Sequence, residues 1–180
     1  YKTKKTSTYL EENNRFAEDM PNFEKEITQL GYRIVRVQTI VNHSWKSAYN
    51  AAKEWILREH NSTNEKLLYH GTGEAGMKGI IDNGFDSRYF ATSGYYGKGA
   101  YFADVVAKSA GYAPANANGE RFMFICQLAL GKQEVLKQAA NNKLGPSQGY
   151  HSILGQAGSH NEYIIDRWGQ AVPIYLVTYK

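Results

Sequence analysis

The run Tyr96-Gly97-Lys98-Gly99-Ala100-Tyr101-Phe102-Ala103-Asp104-Val105-Val106-Ala107-Lys108-Ser109-Ala110-Gly111-Tyr112 sets two glycines around a lysine, then an apolar-aromatic segment, then a segment with helical spacing. Residues 100–103 predict a strand. Val105, Ser109 and Tyr112 recur at i, i+4 and i+7, which puts them on one face of the helix that follows. If that helix folds back on its strand, the rings of Tyr101 and Tyr112 and the hydroxyl of Ser109 line one slot. Such a slot suits a flat aromatic amide: rings stack on its faces and a hydroxyl bonds its polar edge.

Outward from this run, residues 121–130 form the longest strand candidate, with the single cysteine, Cys126, inside it as a buried reduced thiol. Residues 32–41 alternate and predict a strand with Val35 and Val37 on one face. Asn42 or Ser44 can cap a helix running to about His60, with Trp45, Tyr49, Ala52, Trp55 and Ile56 as its buried stripe. Residues 66–70 predict a strand, and residues 74–82 a helix ended by Asn83-Gly84. Residues 162–166 and 172–179 predict two last strands on either side of the turn Trp168-Gly169-Gln170. Residues 85–99 and 138–161 read as loops. Residues 10–18 predict a helix that Met20-Pro21-Asn22 breaks. Strands dominate and the helices are scattered among them, so the class is a single α+β domain.

At 42% hydrophobic residues, the 180-residue chain is globular rather than disordered. Its net charge of +4, with a pI near 9.0, is mild; beyond Lys2, Lys4 and Lys5 the cations are dispersed. Direct nucleic-acid binding would want a denser basic stripe and is not expected. One cysteine excludes a disulfide framework and a cysteine-based zinc site, and His43, His60, His151 and His160 show no metal spacing. No signal peptide or membrane span is visible, so an intracellular domain, nuclear or cytoplasmic and not secreted, is expected, cut from something longer.

His70 precedes Gly71-Thr72-Gly73-Glu74-Ala75-Gly76, a literal G-x-G-x-x-G between a strand and a helix. A dinucleotide fold would need a second parallel strand ending in an acid about 20 residues further on. The chain instead enters Tyr89-Phe90-Ala91-Thr92-Ser93-Gly94, so a Rossmann dehydrogenase is the least favoured reading.

Three segments belong together: Leu67-Leu68-Tyr69-His70-Gly71-Thr72, the 96–112 run, and Asn161-Glu162-Tyr163-Ile164-Ile165. With them, the sequence resembles the catalytic domain of the poly(ADP-ribose) polymerases, the H-Y-E branch of the ADP-ribosyltransferases. Among these it is most similar to the tankyrases, through residues 64–71, Gly84-Phe85-Asp86, residues 150–155 and the ending 169–179. The resemblance runs from about Tyr32 to the end; residues 1–31 read as a lead-in, too short for a helical regulatory domain. It implies the ADP-ribosyltransferase fold: two antiparallel-rich sheets around an NAD cleft with a few flanking helices.

The resemblance also implies roles. His70 would bond the adenosine ribose of NAD+, and Gly71 and Ser109 would hold the nicotinamide carboxamide. Tyr112 would stack on the nicotinamide ring, with Tyr101 closing the other side. Thr72, Arg88, Phe102 and Ala103 would line the NAD+ site, Lys108 would sit near the catalytic acid, and Glu162 would be that acid. His151 would belong to the floor of the site. The tankyrase zinc cysteines are missing from residues 113–120, so no metal is expected. The short loop 138–160 occupies the acceptor side. Protein acceptors, including the enzyme itself, and poly(ADP-ribose) are the implied partners.

Taken singly, these residues have plainer roles: a half-buried histidine, core tyrosines, an edge carboxylate, a serine bonded to its own helix. Their joint pattern favours an NAD-dependent protein ADP-ribosyltransferase competent for polymer elongation. A mono-ADP-ribosyltransferase and a non-catalytic NAD or ADP-ribose-binding module are the alternatives.

Overall fold

The apolar run Arg121–Ala129 is buried along almost its whole length, which places it inside a sheet, flanked by strands and covered on both faces. Its side chains alternate: Phe124, Cys126 and Leu128 enter one hydrophobic cluster, Met123 and Ile125 another. The computed structural model describes residues 8–180; Lys2, Lys4 and Lys5 lie outside them. In chain order the elements are β1 (Tyr9–Glu12), α1 (Phe16–Asp19), α2 (Pro21–Gln29), β2 (Ile34–Val41), α3 (His43–Glu59), β3 (Glu65–Thr72), α4 (Glu74–Asn83), β4 (Ala91–Gly94), β5 (Gly97–Ala103), α5 (Val106–Ala110), β6 (Arg121–Ala129), β7 (Gln133–Leu136), β8 (Ser152–Gly155), β9 (Glu162–Ile165) and β10 (Ala171–Tyr179).

The strands follow one path, β1-β2-β10-β6-β3-β5-β9-β8-β7, with β4 paired to β5 off it. Every pairing is antiparallel except β7 with β8. The two expected sheets are the two arms of this path, because β3 and β5 meet through a single residue pair, Tyr69 with Ala103. Trp45 of α3 and Met77, Ile80 and Ile81 of α4 pack into the cluster on one face. Phe16, Phe23, Ile27 and Val106 bring α1, α2 and α5 to the other. The α+β class and the ADP-ribosyltransferase architecture hold.

Local chemistry explains the helices. The Asn42 side chain accepts from the Trp45 N–H and caps α3, while Trp45, Tyr49 and Ile56 are its buried stripe. Gly84 ends α4 at φ 66°, where a Cβ would be strained. The G-x-G-x-x-G run does join a strand to a helix, but the strand that next pairs with β3 is antiparallel, as no Rossmann unit allows.

Several expectations change. Residues 10–18 are not one helix: Tyr9–Glu12 is an edge strand on β2, and the helix α1 starts only at Phe16. Pro21 opens a helix instead of closing one, because a proline at the first helical position gives up an N–H that has no partner there anyway. The segment 138–161 contains β8, paired with the equally unforeseen β7. In β2, Val35 and Val37 share a face as expected, but only Val37 is buried. Among the described residues, no helix is long and apolar enough to cross a membrane.

Candidate active site

The single-pair junction of β3 and β5 opens a cleft of about 980 Å³. Three adjacent strands bring side chains to it: His70 from β3, Tyr101 from β5 and Glu162 from β9. Thr72, Phe102, Ala103, Lys108, Ser109 and Tyr112 also line it, with the backbone of Gly71.

His70 crosses the junction. Its Nδ1 lies 2.7 Å from the Tyr101 carbonyl oxygen. A carbonyl only accepts, so Nδ1 carries the proton and Nε2 presents a lone pair. The ring stands edge-on to Phe85, at 5.2 Å and 88°, and tilted against Phe102. Burial holds the imidazole below the ordinary histidine range, opposed by the bond to Tyr101. The neutral ring is therefore an acceptor suited to a sugar hydroxyl.

The Tyr101 hydroxyl donates to the Gly97 carbonyl at 2.6 Å and accepts from the Tyr96 N–H at 3.0 Å. The phenol is thereby locked across its own hairpin. Burial, with a contribution from the Glu162 charge, pushes its pKa up to about 12. It is a wall, not a proton-transfer group near neutral pH. Gly94 lets the β4 backbone lie against this ring, since a Cβ there would overlap the phenol.

Glu162 opens β9 opposite Ala103 of β5. Its side chain is 13% exposed, and Oε1 lies 3.8 Å from Lys108 Nζ. The carboxylate thus faces a cation from α5 across the cleft. Ser109 is buried, and its hydroxyl donates to the Tyr69 carbonyl at 3.0 Å. Its lone pairs can still accept from a ligand N–H. Gly71 backs directly onto the Ser109 carbonyl, where any Cβ would collide. The helix α5 ends at Ala110, so Tyr112 lies beyond it, 60% exposed. Its ring still belongs to the cleft, with Lys108 Nζ 5.8 Å from its centroid.

Two residues lie elsewhere. Arg88 is not among the cleft-lining residues: its guanidinium bonds Asp86 at 2.6 Å and is 75% exposed. His151 does not form the floor. It is buried at the far end of the short arm, where Nδ1 accepts from the Lys132 N–H at 3.0 Å and Nε2 lies 3.1 Å from Glu59 of α3. Sequence reasoning passed over Asp86, Tyr89, Tyr95, Tyr96 and the α4 wall. The signal was the density of tyrosine and glycine in residues 85–99, which read as a loop. Among the described residues, no three His, Cys, Asp or Glu side chains group in a way that could hold a metal ion.

Residues 11–180 match the family model described as the poly(ADP-ribose) polymerase catalytic domain. Poly(ADP-ribose) polymerase 1 of Caenorhabditis elegans is 35% identical over 109 residues, 54% of this chain and 12% of that protein. The protein mono-ADP-ribosyltransferase PARP14 of Homo sapiens is 27% identical over 158 residues, 83% of this chain and 9% of its own length. The poly(ADP-ribose) polymerase tankyrase of Caenorhabditis elegans is 39% identical over 79 residues, 42% of this chain and 4% of that protein. The chain therefore spans no more than 12% of any of these three relatives. Relatives named for polymer synthesis and for single transfer are both present. The chain belongs to the poly(ADP-ribose) polymerase catalytic domain family.

Proposed function

We propose that this domain transfers ADP-ribose from NAD+ to protein side chains, with His70, Tyr101 and Glu162 as its H-Y-E set. The observation that carries this is their convergence from three adjacent strands on one cleft. The nicotinamide lies between Tyr101 and Tyr112, its carboxamide on the Gly71 backbone and the Ser109 hydroxyl. His70 Nε2 accepts from the adenosine ribose, and Thr72, Phe102 and Ala103 line the remaining wall.

Cleavage of the bond between ribose C1′ and the nicotinamide nitrogen sends the electron pair to that nitrogen and builds positive charge on the sugar. Glu162, accepting from the 2′-hydroxyl, stabilises that charge more in the transition state than in the ground state. The acceptor's nucleophile then bonds to C1′ and releases its proton. The slot fixes the leaving group in position as the bond breaks.

Glu162 also favours elongation, because the same carboxylate can polarise the hydroxyl of a growing polymer. Tankyrase-like motifs at residues 64–71, 84–86 and 150–155 support that reading. Automodification and binding of the polymer product follow from it. A buried reduced Cys126 and NAD+ as substrate suit the nucleus or cytoplasm. Incubation with labelled NAD+ tests the proposal: a ladder means polymer and a single band means mono-transfer. No label on any protein, or undiminished label with Glu162→Ala, would overturn it. Binding of NAD+ without turnover would instead support the non-catalytic module.

A further inference from the structure

The wall that carries Lys108 and Ser109 is a helix of five residues, too short to hold its own geometry. Two elements hold it. From beneath, Ser109 donates to the Tyr69 carbonyl of β3. From outside comes α2, which the sequence had shown only as part of a lead-in. Phe23 and Ile27 of α2 are fully buried in one cluster with Val106, also fully buried, and Ala113 at either end of the α5 segment. The Phe23 ring lies 5.5 Å from the Tyr69 ring, so α2 packs on both elements that frame the nicotinamide slot. At the edge of this contact, half-buried Glu26 reaches the backbone of α5, where its Oε2 accepts from the Val106 N–H at 3.4 Å.

We propose that Glu26 is a positioning residue for the nicotinamide slot: through Val106 it sets the placement of α5, and with it Ser109 and Lys108, against Gly71 and Glu162. The inference rests on the assignment of that slot to nicotinamide. Val106 lies three residues before Ser109, so a displacement of the first turn of α5 is carried to the hydroxyl. Gly71 leaves no slack on the opposite side, because the Ser109 carbonyl already sits where a Cβ would be. Glu26 bonds the segment that carries Ser109 and Lys108, whereas the adenosine half of the cleft is lined by Thr72 and α4. A loss at Glu26 is therefore felt at one end of the ligand only.

The test compares two probes on the 180-residue chain: benzamide, an isostere of nicotinamide, and ADP-ribose, which lacks the nicotinamide. Titration of Glu26→Ala gives benzamide binding weakened about fivefold, the order expected for the net loss of one long hydrogen bond, with ADP-ribose affinity unchanged. Glu26→Gln keeps an acceptor oxygen and restores benzamide binding to within about twofold of wild type. Glu24→Ala, an exposed change on the same helix, leaves both probes unaffected. Unchanged benzamide binding in Glu26→Ala, or an equal loss for both probes, overturns the positioning role. Failure of the wild-type chain to bind benzamide overturns instead the nicotinamide assignment beneath it, and this inference with it.

Discussion

The two arms of the sheet are built differently. On one side of the β3–β5 junction, β2, β3, β6 and β10 are eight or nine residues long, and helices cover both faces. On the other, β7, β8 and β9 are four residues each, joined by long turns. The long arm supplies His70 and Gly71; the short arm supplies Tyr101 and Glu162. At the junction itself, β3 and β5 share one backbone pair, Tyr69 with Ala103, and His70 bonds the Tyr101 carbonyl across it. A cleft needs strands that part, and these part where neither arm's ladder can continue. The candidate site thus sits at the shortest ladder of the sheet, bridged by a histidine that also lines the cleft.

This contrast predicts a separation between function and stability. Glu162 lies on the short arm, and its one ion pair, at 3.8 Å, is long. Glu162→Gln should abolish transfer by about 10²–10³-fold, the range for loss of one preorganised charge stabiliser, while thermal unfolding shifts little. A parallel collapse of melting temperature would show that Glu162 holds the arms together instead. His70→Ala should lose both: nucleotide binding falls, and the Tyr101 carbonyl is left without its donor at the junction, at a cost of about 1–3 kcal/mol.

His70 also gives the junction a pH response. Its folded pKa is depressed below the unfolded value of about 6.5. Below that value the unfolded chain takes up a proton that the folded chain resists. The contribution is therefore complete above about pH 6.5 and declines as pH falls through and below it. Denaturant midpoints between pH 7.5 and 5.5 should fall in the wild type and fall less in His70→Asn. Equal slopes would remove His70 as the source.

How much of this could be read from the chain follows the same division. The long arm was legible because its elements are long and locally consistent: an Asn42 cap with an apolar stripe behind it, a nearly unbroken apolar β6, a glycine ending α4. Glu162, Tyr101 and His70 were legible only jointly, since each alone has an ordinary role. The outer strands of the short arm were not. Gln133–Leu136 and Ser152–Gly155 are four-residue strands whose pairing lies in tertiary contacts, and the polar chain between them masks both. The helix α2 was missed because only Phe23 and Ile27 mark its buried face and Pro21 reads equally as a stop or a start. The spacing 105–109–112 pointed to Ser109 and Tyr112, which both line the cleft, but Val105 does not line it and α5 stops at Ala110, short of Tyr112. Tyr112 lines the cleft from beyond α5.

His151 sharpens the contrast, as the second histidine that ties parts of the fold together. It joins the Lys132 backbone to Glu59 beneath the Trp55 ring, at 4.8 Å, and lines no part of the cleft. His151→Ala should destabilise by about 1–3 kcal/mol, because it empties the space of a buried ring and removes its hydrogen bonds, with benzamide and ADP-ribose affinities retained in the folded fraction. A selective loss of either probe would mean that the far end of the short arm is coupled to the cleft.

The smallest effect should come from Arg88, which the family resemblance places at the NAD+ site. Its guanidinium is exposed and already bidentate on Asp86, and it lies over the Tyr89 ring at 5.7 Å. To reach a nucleotide it would have to leave a carboxylate that both neutralises it and accepts its N–H groups. Asp86 itself lines the cleft, so the pair presents little net charge there. Arg88→Ala should therefore leave the melting temperature almost unchanged and ADP-ribose affinity within about twofold of wild type. A tenfold loss would show that ligand binding draws Arg88 off Asp86, and that the rim of the cleft, unlike its junction, rearranges around the substrate.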